Sequence, residues 1–407
     1  MTRRFLFLQG VCSPFFHRLA ARLCSVGHGV LKVNFNAGDL IYWGGQESVA
    51  FRGQVLGLRD HLDHLYRHHG ITDQILFGDR RPVHRPAVDH GEACGVRTHV
   101  FEEGYFRPFW VTLEREGVNG HSLLPRDPDW FRDAGGRLAE PDAPVHFRTP
   151  FSLRAAHDVA YHAAGALNPV FFPGYRSHAP VVAPLEYAGY ARRFVYLRFI
   201  RERERRRVAD LLAAGRPYYF LPLQLNSDAQ IRDHSRFAHM GEVIEHVMAS
   251  FARHAPSGAL LVIKNHPLDA GLMDLAGQVR HFGRHYQVED RTVYLEDGDL
   301  HALVDRAQGV VTVNSTVGLV ALEAGRPTLS LSDPIYNLPG LTFQGGLDEF
   351  WRDSEGPDRE LFARFRRVVM HATQVNGGFY CPKGIALAVD NSARVLTAAR
   401  SPLEALL

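Results

Sequence analysis

Apolar and polar residues alternate in blocks along the first hundred residues of the chain. Short apolar runs, several of them closed by glycine, predict strands at residues 5–8, 30–35, 73–77 and 96–101. Between them, residues 17–24 and 55–69 repeat apolar positions at helical spacing and predict helices. Strands that alternate with helices favour a parallel sheet covered on both faces.

The pattern loosens after residue 101 into a stretch rich in proline, arginine and aromatic residues that runs to about Gly189. We expect this stretch to be irregular and to line a site or carry partner contacts. The charged segment 201–212 predicts an exposed helix that joins two halves of the chain. A solvated face is the ordinary explanation of its charge, although anionic lipid would be attracted to it.

A second alternating set begins after this segment. Strands are predicted at residues 218–223, 259–264, 309–313 and 328–331, and helices at 240–254 and 317–324. The sequence therefore predicts an α/β fold of two Rossmann-like domains that face each other across a cleft. We expect the domains to span residues 1–200 and 201–365, with helices in 366–407 packing back on the first domain.

Composition narrows the class of protein. The 407 residues exceed one ordinary domain, and a formal net charge of +2 does not indicate a nucleic-acid partner. The four cysteines lack C-x-x-C spacing and predict neither a disulfide framework nor a zinc site, so reduced cytosolic thiols fit best. Gln9 and Gly10 interrupt the apolar start, so we expect no secretory signal. No segment has the roughly 20 apolar residues of a membrane span, so we expect any membrane contact to be peripheral.

Two acids, Glu102 and Glu103, lie at the carboxyl end of a predicted strand, where open α/β sheets bind ligands. Adjacent strand residues point to opposite faces, so only one acid easily faces a cleft. Such an acid could accept a proton from a substrate hydroxyl or act as a nucleophile. A solvated turn with an Arg107 ion pair is the alternative.

A second group of polar residues follows the later strands. Lys264 and His266 end one strand, and Pro267 stops its pairing, so the histidine could donate to a phosphate oxygen. Asn314, Ser315 and Thr316 join a strand to a helix whose start favours an anion. An ordinary turn histidine and a helix cap without a ligand are the alternatives.

Other polar residues fit weaker hypotheses. Glu323, seven residues after Thr316, could accept hydrogen bonds from ribose hydroxyls, although a surface acid is the default. Gln224 and Asp228 could bind an acceptor or form hinge hydrogen bonds. The D-x-D pairs at 127/129 and 297/299 lie beside turn residues, so we predict no metal site. No nucleotide P-loop, convincing G-x-G-x-x-G or G-x-S-x-G motif is present.

Four segments together resemble the capsule polysaccharide biosynthesis and export family of the KpsS/LipB type. They are FLFLQGVCSPFFHRLA, FEEGYFRPFWVTLE, IKNHPLD and NSTVGLVALEAGRPTL. Members of that family resemble GT-B glycosyltransferases. The resemblance implies transfer of 3-deoxy-D-manno-octulosonic acid (Kdo) from CMP-Kdo to a (lyso)phosphatidylglycerol acceptor, which starts the capsule lipid linker.

The same resemblance implies roles and partners. Glu103 matches the catalytic second acid of an acid-acid-Gly motif, where related enzymes have Asp, and His266 matches the histidine that serves the donor phosphate. Ser315 and Thr316 would contact the CMP phosphate, with Glu323 near the ribose. Gln9, Gly10, Glu102 and Arg107 are further candidates for acceptor binding or a hinge.

We expect no cofactor, because the CMP-activated sugar is a substrate. The expected partners are this sugar, a phospholipid acceptor and an inner-membrane capsule assembly and export complex, with the protein cytoplasmic and peripheral on the inner face of that membrane. A non-enzymatic assembly or export factor, or a transferase of another CMP-activated acid sugar such as sialic acid, remains open. So does the choice between retaining and inverting chemistry.

Overall fold

The computed structural model describes residues 2–177, 183–226, 231 and 235–407. The chain divides into two compact units. The first unit comprises residues 1–125, 137–178 and 366–407, and the second comprises residues 126–136 and 179–365. No helix among the described residues has an apolar stretch long enough to cross a membrane.

The regular elements are labelled in chain order. The strands are β1 (Arg4–Phe7), β2 (Gly29–Asn34), β3 (Ser48–Ala50), β4 (Asp73–Phe77), β5 (Arg97–Glu103), β6 (Trp110–Arg115), β7 (Tyr218–Pro222), β8 (Leu260–Lys264), β9 (Thr292–Leu295), β10 (Gly309–Thr312), β11 (Thr328–Ser330) and β12 (Gln374–Asn376). The first helices are α1 (Phe15–Ser25), α2 (Ala37–Trp43), α3 (Leu58–His69), α4 (Arg85–Gly91), α5 (Pro128–Arg137), α6 (Phe151–Gly165), α7 (Asn168–Phe171) and α8 (Ala183–Ala214). The later helices are α9 (Met240–His254), α10 (Leu275–His285), α11 (Leu300–Arg306), α12 (Val317–Glu323), α13 (Leu347–Asp353), α14 (Arg359–Thr373) and α15 (Pro382–Thr397).

The sheet of the first unit has the strand order β12-β6-β5-β4-β1-β2-β3. The strands from β5 through β3 pair in parallel, whereas β6 pairs antiparallel with its two neighbours, β5 and β12. The five parallel strands therefore follow the 3-2-1-4-5 order of a Rossmann fold. In such a sheet the loops at the carboxyl ends of the strands surround the ligand.

The last helix of the chain completes the core of the first unit. Phe379, just before α15, packs on Phe15 of α1 with ring centroids 5.1 Å apart. Phe101 of β5 lies equally close to Phe15, and Ile385 of α15 belongs to the same buried cluster. Burial of this apolar surface anchors the carboxyl-terminal segment to β5, the strand that carries Glu102 and Glu103.

The sheet of the second unit has the order β11-β10-β7-β8-β9, and all its pairings are parallel. This is again the Rossmann order 3-2-1-4-5, counted from β7. Its central strands β7, β8 and β10 are buried along their whole length. Helices α9 and α13 cover one face, where Phe251 and Trp351 lie in the core.

The predicted α/β class with two Rossmann-like sheets is confirmed. The predicted irregular stretch after residue 101 is wrong, because it contains β6 and helices α5, α6 and α7, and α8 already begins at Ala183. Helix α6 was hard to predict because none of its residues is fully buried, so it lacks a continuous apolar stripe. Strand β6 was missed because a single antiparallel strand breaks the βα alternation on which the prediction rested.

Candidate active site

Glu103 lies at the end of β5, where it pairs with Val111 of the neighbouring β6. The guanidinium of Arg154 on α6 lies 3.6 Å from Glu103 Oε1. This oxygen is buried and accepts no hydrogen bond within the part of the chain that the structure describes. A desolvated carboxylate oxygen without a donor is costly, so its presence favours a ligand-binding role.

Tyr380 completes the surroundings of Glu103. The Arg154 guanidinium lies 4.8 Å from the centre of the Tyr380 ring, a cation–π contact. Burial, together with the negative charge of Glu103, raises the pKa of the Tyr380 hydroxyl. The hydroxyl therefore stays protonated at neutral pH and can donate a hydrogen bond.

Cys12 interacts electrostatically with Arg154 and Asp158 of α6, but its thiol is not a nucleophile. Burial, with Asp158 adding to it, raises the pKa of the Cys12 thiol to about 12. A thiol with this pKa is protonated at neutral pH and is a poor nucleophile. Glu103 is therefore the better candidate for chemistry at this strand end.

Gln9 forms a buried network at the end of β1. Its Nε2 donates to the hydroxyls of Tyr161 and Tyr175 at 3.1 and 3.3 Å, and its Oε1 accepts from Arg81 at 3.2 Å. The Tyr161 hydroxyl in turn donates to Asp39 Oδ1 at 3.3 Å. Both ends of the Gln9 amide thus form hydrogen bonds with side chains of the first unit. These bonds favour a structural role for Gln9, in which it holds the loop after β1 in place.

The remaining candidates of the first unit have local roles. Gly10 accepts from Arg81 through its carbonyl, and a Cβ at Gly10 would lie 2.7 Å from the Phe16 ring. Glu102 Oε1 accepts the backbone N–H of Glu103 at 2.9 Å. Arg107 is exposed, and its Nε donates to the Gly104 carbonyl. This hydrogen bond differs from the predicted turn ion pair.

His266 in the second unit is the second residue after β8. Its Nδ1 accepts the backbone N–H of Leu268 at 3.1 Å. An Nδ1 that accepts carries no proton, so the neutral ring is protonated at Nε2. His266 can therefore donate from Nε2, as recognition of a phosphate oxygen requires. Pro267 is exposed and lies three residues after Lys264, the last residue of β8.

Asn265 fixes the position of His266. Its Oδ1 accepts the His266 backbone N–H at 2.7 Å, and its Nδ2 donates to Asp269 and Glu296, each at 3.2 Å. Glu296 in turn forms a largely buried ion pair of 2.9 Å with Arg193 of α8. The turn that carries His266 is thus braced through side chains that are themselves held in place.

Lys264 is the last residue of β8 and is almost fully buried. Its Nζ donates to the Asn265 carbonyl at 3.3 Å. Burial lowers the pKa of Lys264, although the nearby Asp297 carboxylate opposes this effect. Lys264 therefore places its amino group beside the backbone of the turn that carries His266, where it can add positive charge.

Gln224 and Asn314 join the ends of the neighbouring strands β7 and β10. Gln224 Nε2 donates to Asn314 Oδ1 at 3.0 Å, and Gln224 Oε1 accepts the Asn314 backbone N–H at 3.3 Å. Both side chains are buried. Of the two predicted roles of Gln224, this geometry favours bracing over contact with an acceptor.

Ser315 and Thr316 precede α12. Ser315 Oγ accepts the Val317 N–H at 3.2 Å, and the Tyr336 hydroxyl donates to the Ser315 carbonyl at 2.6 Å. The Thr316 side chain makes no capping hydrogen bond. Glu323 is exposed and ends the same helix, about 10 Å along its axis from Thr316. The predicted phosphate and ribose contacts thus lie at opposite ends of α12.

The other acids considered in the sequence analysis either lie in turns or fall outside the residues that the structure describes. Asp299 caps α11 by accepting the N–H groups of His301 and Ala302, and Asp127 accepts the N–H of Asp129. These contacts agree with the turn interpretation of both D-x-D pairs. Asp228 lies outside the described residues.

One recess of the second unit is lined by residues other than His266. It has a volume of about 330 Å³ and lies among α8, α10 and β9. Arg203, Arg280 and Tyr294 line it, together with Glu296, whose carboxylate also accepts from Asn265. The strand ends are the better site, because their polar groups converge on the edge that binds ligands in open α/β sheets.

Sequence reasoning missed several residues of these groups. Asn265 and Arg81 follow β8 and β4, so the rule that selected their neighbours could have found them. Arg154 and Tyr161 lie on α6, which the hydrophobic pattern did not reveal. Tyr380 reaches β5 only because the carboxyl-terminal segment packs back on the first unit.

The protein is thus an α/β protein with two units, each built on a Rossmann-like sheet. Residues 72–380 match the family model described as capsule polysaccharide biosynthesis protein. The chain belongs to this capsule polysaccharide biosynthesis family, which confirms the resemblance found in the sequence.

Two relatives cover nearly the whole chain. The capsule polysaccharide export protein KpsS of Escherichia coli is 34% identical over 383 residues, 93% of this chain and 97% of that protein. The capsule polysaccharide modification protein LipB of Neisseria meningitidis serogroup B is 34% identical over 387 residues, 92% and 91% of the two chains. The solved β-Kdo 2,7-transferase of Thermosulfurimonas dismutans KpsC aligns with a TM-score of 0.44 and 14% identity, covering 97% of this chain and 100% of that chain.

The Gln224–Asn314 pair yields a stability prediction. In a double-mutant cycle of Gln224→Ala and Asn314→Ala, we expect a coupling free energy of about 1 to 2 kcal/mol, because each single change leaves a buried amide without its partner. Chemical denaturation of the full chain measures it.

The exposed pair Gln344 and Asn337, which lies 3.4 Å apart in the same unit, is the matched control. We expect a smaller coupling there because water competes for the amides. Additive effects of Gln224→Ala and Asn314→Ala would contradict the bracing role.

Proposed function

We propose that the protein is a glycosyltransferase of capsule polysaccharide biosynthesis that transfers Kdo from CMP-Kdo to (lyso)phosphatidylglycerol. Membership of the capsule family and two Rossmann-like units support this class of function. The observation that carries the proposal is the buried Glu103 oxygen, which lacks a hydrogen-bond donor in the described chain. An acceptor hydroxyl or the anomeric carbon of a sugar would give this oxygen a partner.

Glu103 performs the chemical step in this proposal. In an inverting reaction, the acceptor oxygen bonds to the anomeric carbon, the bond from that carbon to the CMP phosphate oxygen breaks, and Glu103 takes the hydroxyl proton. In a retaining reaction, Glu103 first bonds to the anomeric carbon as the bond to the CMP phosphate oxygen breaks, and the acceptor oxygen then displaces Glu103, which takes the hydroxyl proton. The configuration of the product distinguishes these two routes.

The positive charge of Arg154 allows an acid sugar to bind beside the Glu103 carboxylate. Kdo carries its own carboxylate, which a lone Glu103 would repel. The Arg154 guanidinium, 3.6 Å from Glu103, offsets this repulsion. The protonated Tyr380 hydroxyl is a further donor beside the same group.

His266 serves the leaving CMP. With its proton on Nε2, it donates a hydrogen bond to a phosphate oxygen, on which negative charge grows as the sugar departs. Asn265 holds the turn, and Ser315 and Thr316 follow the parallel strand β10. The proposal needs no cofactor because CMP-Kdo already carries the activated sugar.

A lipid acceptor requires contact with a membrane surface, and the outer side of α8 is suited to it. Phe194 and Phe199 are 67% and 79% exposed there, although aromatic side chains are usually buried. Arg198 and Arg205 are exposed on the same helix. Aromatic residues interspersed with arginines favour the interface of an anionic bilayer. We therefore place α8 against the inner face of the inner membrane, next to the capsule assembly and export complex.

Replacement of Glu103 tests the catalytic assignment. We expect Glu103→Gln to lower the rate of Kdo transfer from CMP-Kdo to lysophosphatidylglycerol by about 10²-fold or more, because an amide is neither base nor effective nucleophile. We expect His266→Ala to lower it by about 10²- to 10³-fold through weaker stabilisation of the leaving phosphate. Mass spectrometry of the glycolipid product gives both rates.

Glu102→Gln is the comparison for the first change, because a glutamine oxygen can still accept the Glu103 N–H. We expect this variant to lose far less activity, and His281→Ala on α10 serves as the control histidine. A fully active Glu103→Gln variant would overturn the assignment. CMP binding without any product would favour a non-enzymatic assembly factor, and product only from CMP-sialic acid would change the donor.

Vesicle binding tests the α8 surface. We expect Phe194→Ser/Phe199→Ser to lower sedimentation with phosphatidylglycerol vesicles by about tenfold or more, because two apolar side chains no longer leave water. Wild-type binding should also weaken as salt screens the arginines. Phe151→Ser/Phe171→Ser, which alters exposed phenylalanines of the first unit, is the control. Equal losses in both double variants would contradict this surface.

A further inference from the structure

Three side chains with metal-binding atoms converge in the first unit, outside the groups assigned to sugar transfer. Asp63 lies on α3, His90 lies on α4, and Cys94 ends the 3₁₀ turn that follows α4. The distance from His90 Nε2 to Asp63 Oδ1 is 2.6 Å. Cys94 Sγ lies 3.4 Å from Asp63 Oδ1 and 3.2 Å from His90 Nε2.

The local fold explains this convergence. His90 and Cys94 are four residues apart in one helical stretch, so their side chains share a side of it. Gly95 follows with a φ of +71°, which ends the stretch directly after Cys94. Leu62 of α3 and Ala87 of α4 are buried in one core cluster and hold the two helices together.

Arg67 orients the carboxylate of Asp63. Its guanidinium binds Asp63 Oδ2 one helical turn away, and Asp63 Oδ1 remains directed at His90 and Cys94. This geometry leaves one carboxylate oxygen for a cation, and an ionised carboxylate is the form that binds one.

We propose that Asp63, His90 and Cys94 bind a divalent transition-metal ion such as Zn²⁺. A carboxylate oxygen, an imidazole nitrogen and a thiolate sulfur suit Zn²⁺ or Co²⁺ rather than the hard ions Mg²⁺ and Ca²⁺. Binding releases the Cys94 proton to solvent, the His90 proton moves from Nε2 to Nδ1, and water fills the fourth position.

The observed spacing needs little adjustment. Metal–ligand bonds of about 2.0 to 2.3 Å in a tetrahedron separate the ligand atoms by about 3.3 to 3.8 Å. The three atoms now lie within 4.8 Å of one another, and the shortest separation, 2.6 Å, has to grow by less than about 1 Å. Rotation of exposed Cys94 and small shifts of Asp63 can supply this change.

The metal would join α3 to the turn after α4 and would stabilise this part of the first unit. Its affinity should be moderate, because His90 Nδ1 is buried without a hydrogen-bond partner in the described chain. An acceptor for that nitrogen commonly improves metal affinity by about 10- to 100-fold. The predicted absence of a zinc site rested on C-x-x-C spacing, which does not detect a histidine and a cysteine four residues apart.

Cobalt titration of the full chain tests this site. After chelation and reduction, we expect one equivalent of Co²⁺ to produce a thiolate-to-cobalt charge-transfer band that Zn²⁺ abolishes. Cys94→Ser should remove the band, and His90→Ala should weaken cobalt binding at least tenfold. Cys24→Ser, which changes another exposed cysteine, should leave both unchanged. Thermal unfolding of each metal-free variant confirms that it is folded.

Alkylation of the wild-type chain gives a test that needs no variant. Zn²⁺ should protect Cys94 from iodoacetamide, as measured by peptide mass spectrometry, while exposed Cys24 stays reactive. Absence of a thiolate band and of Cys94 protection would overturn the proposal. So would cobalt binding that survives Cys94→Ser but is lost in His64→Ala/His68→Ala, because the surface histidines of α3 would then be the ligands.

Discussion

Burial of both faces of the parallel strands in two sheets is the constraint on which the rest of the structure depends. Strands β7, β8 and β10 are apolar and buried along their lengths, so polar side chains can leave the core only where these strands end. Parallel pairing aligns those ends along one edge. In each unit, the candidate catalytic and binding residues therefore lie at the last positions of a strand or in the first few residues that follow it.

Buried polar side chains form hydrogen bonds that hold the strand ends in place. Gln9 uses both ends of its amide within the first unit, and Gln224 does the same with Asn314 in the second. Asn265 ties the turn of His266 to Glu296. These buried amides fix the loops, while Glu103 Oε1 keeps an unused hydrogen-bonding capacity. This division separates residues that hold the site from those that would act on a substrate.

The sequence predicted those strands and helices whose apolar positions are spaced by the burial of one face or of the whole element. Strand β4 and helix α9 have the predicted bounds, because their apolar positions match the period of a buried element. Helix α6 has no fully buried residue, so its pattern could not reveal Arg154 or Tyr161. Tyr161 reaches Gln9 from 152 positions away, a tertiary contact that no local pattern encodes. Candidate residues at strand ends were therefore predictable, whereas their partners on α6 were not.

The most direct test of the central claim is hydrogen–deuterium exchange of the full chain with and without CMP. If the carboxyl edge of the second sheet holds the nucleotide, CMP should slow exchange in peptides that cover residues 264–269 and 314–318. Protection confined to the recess among α8, α10 and β9, or no protection at saturating CMP, would contradict the account.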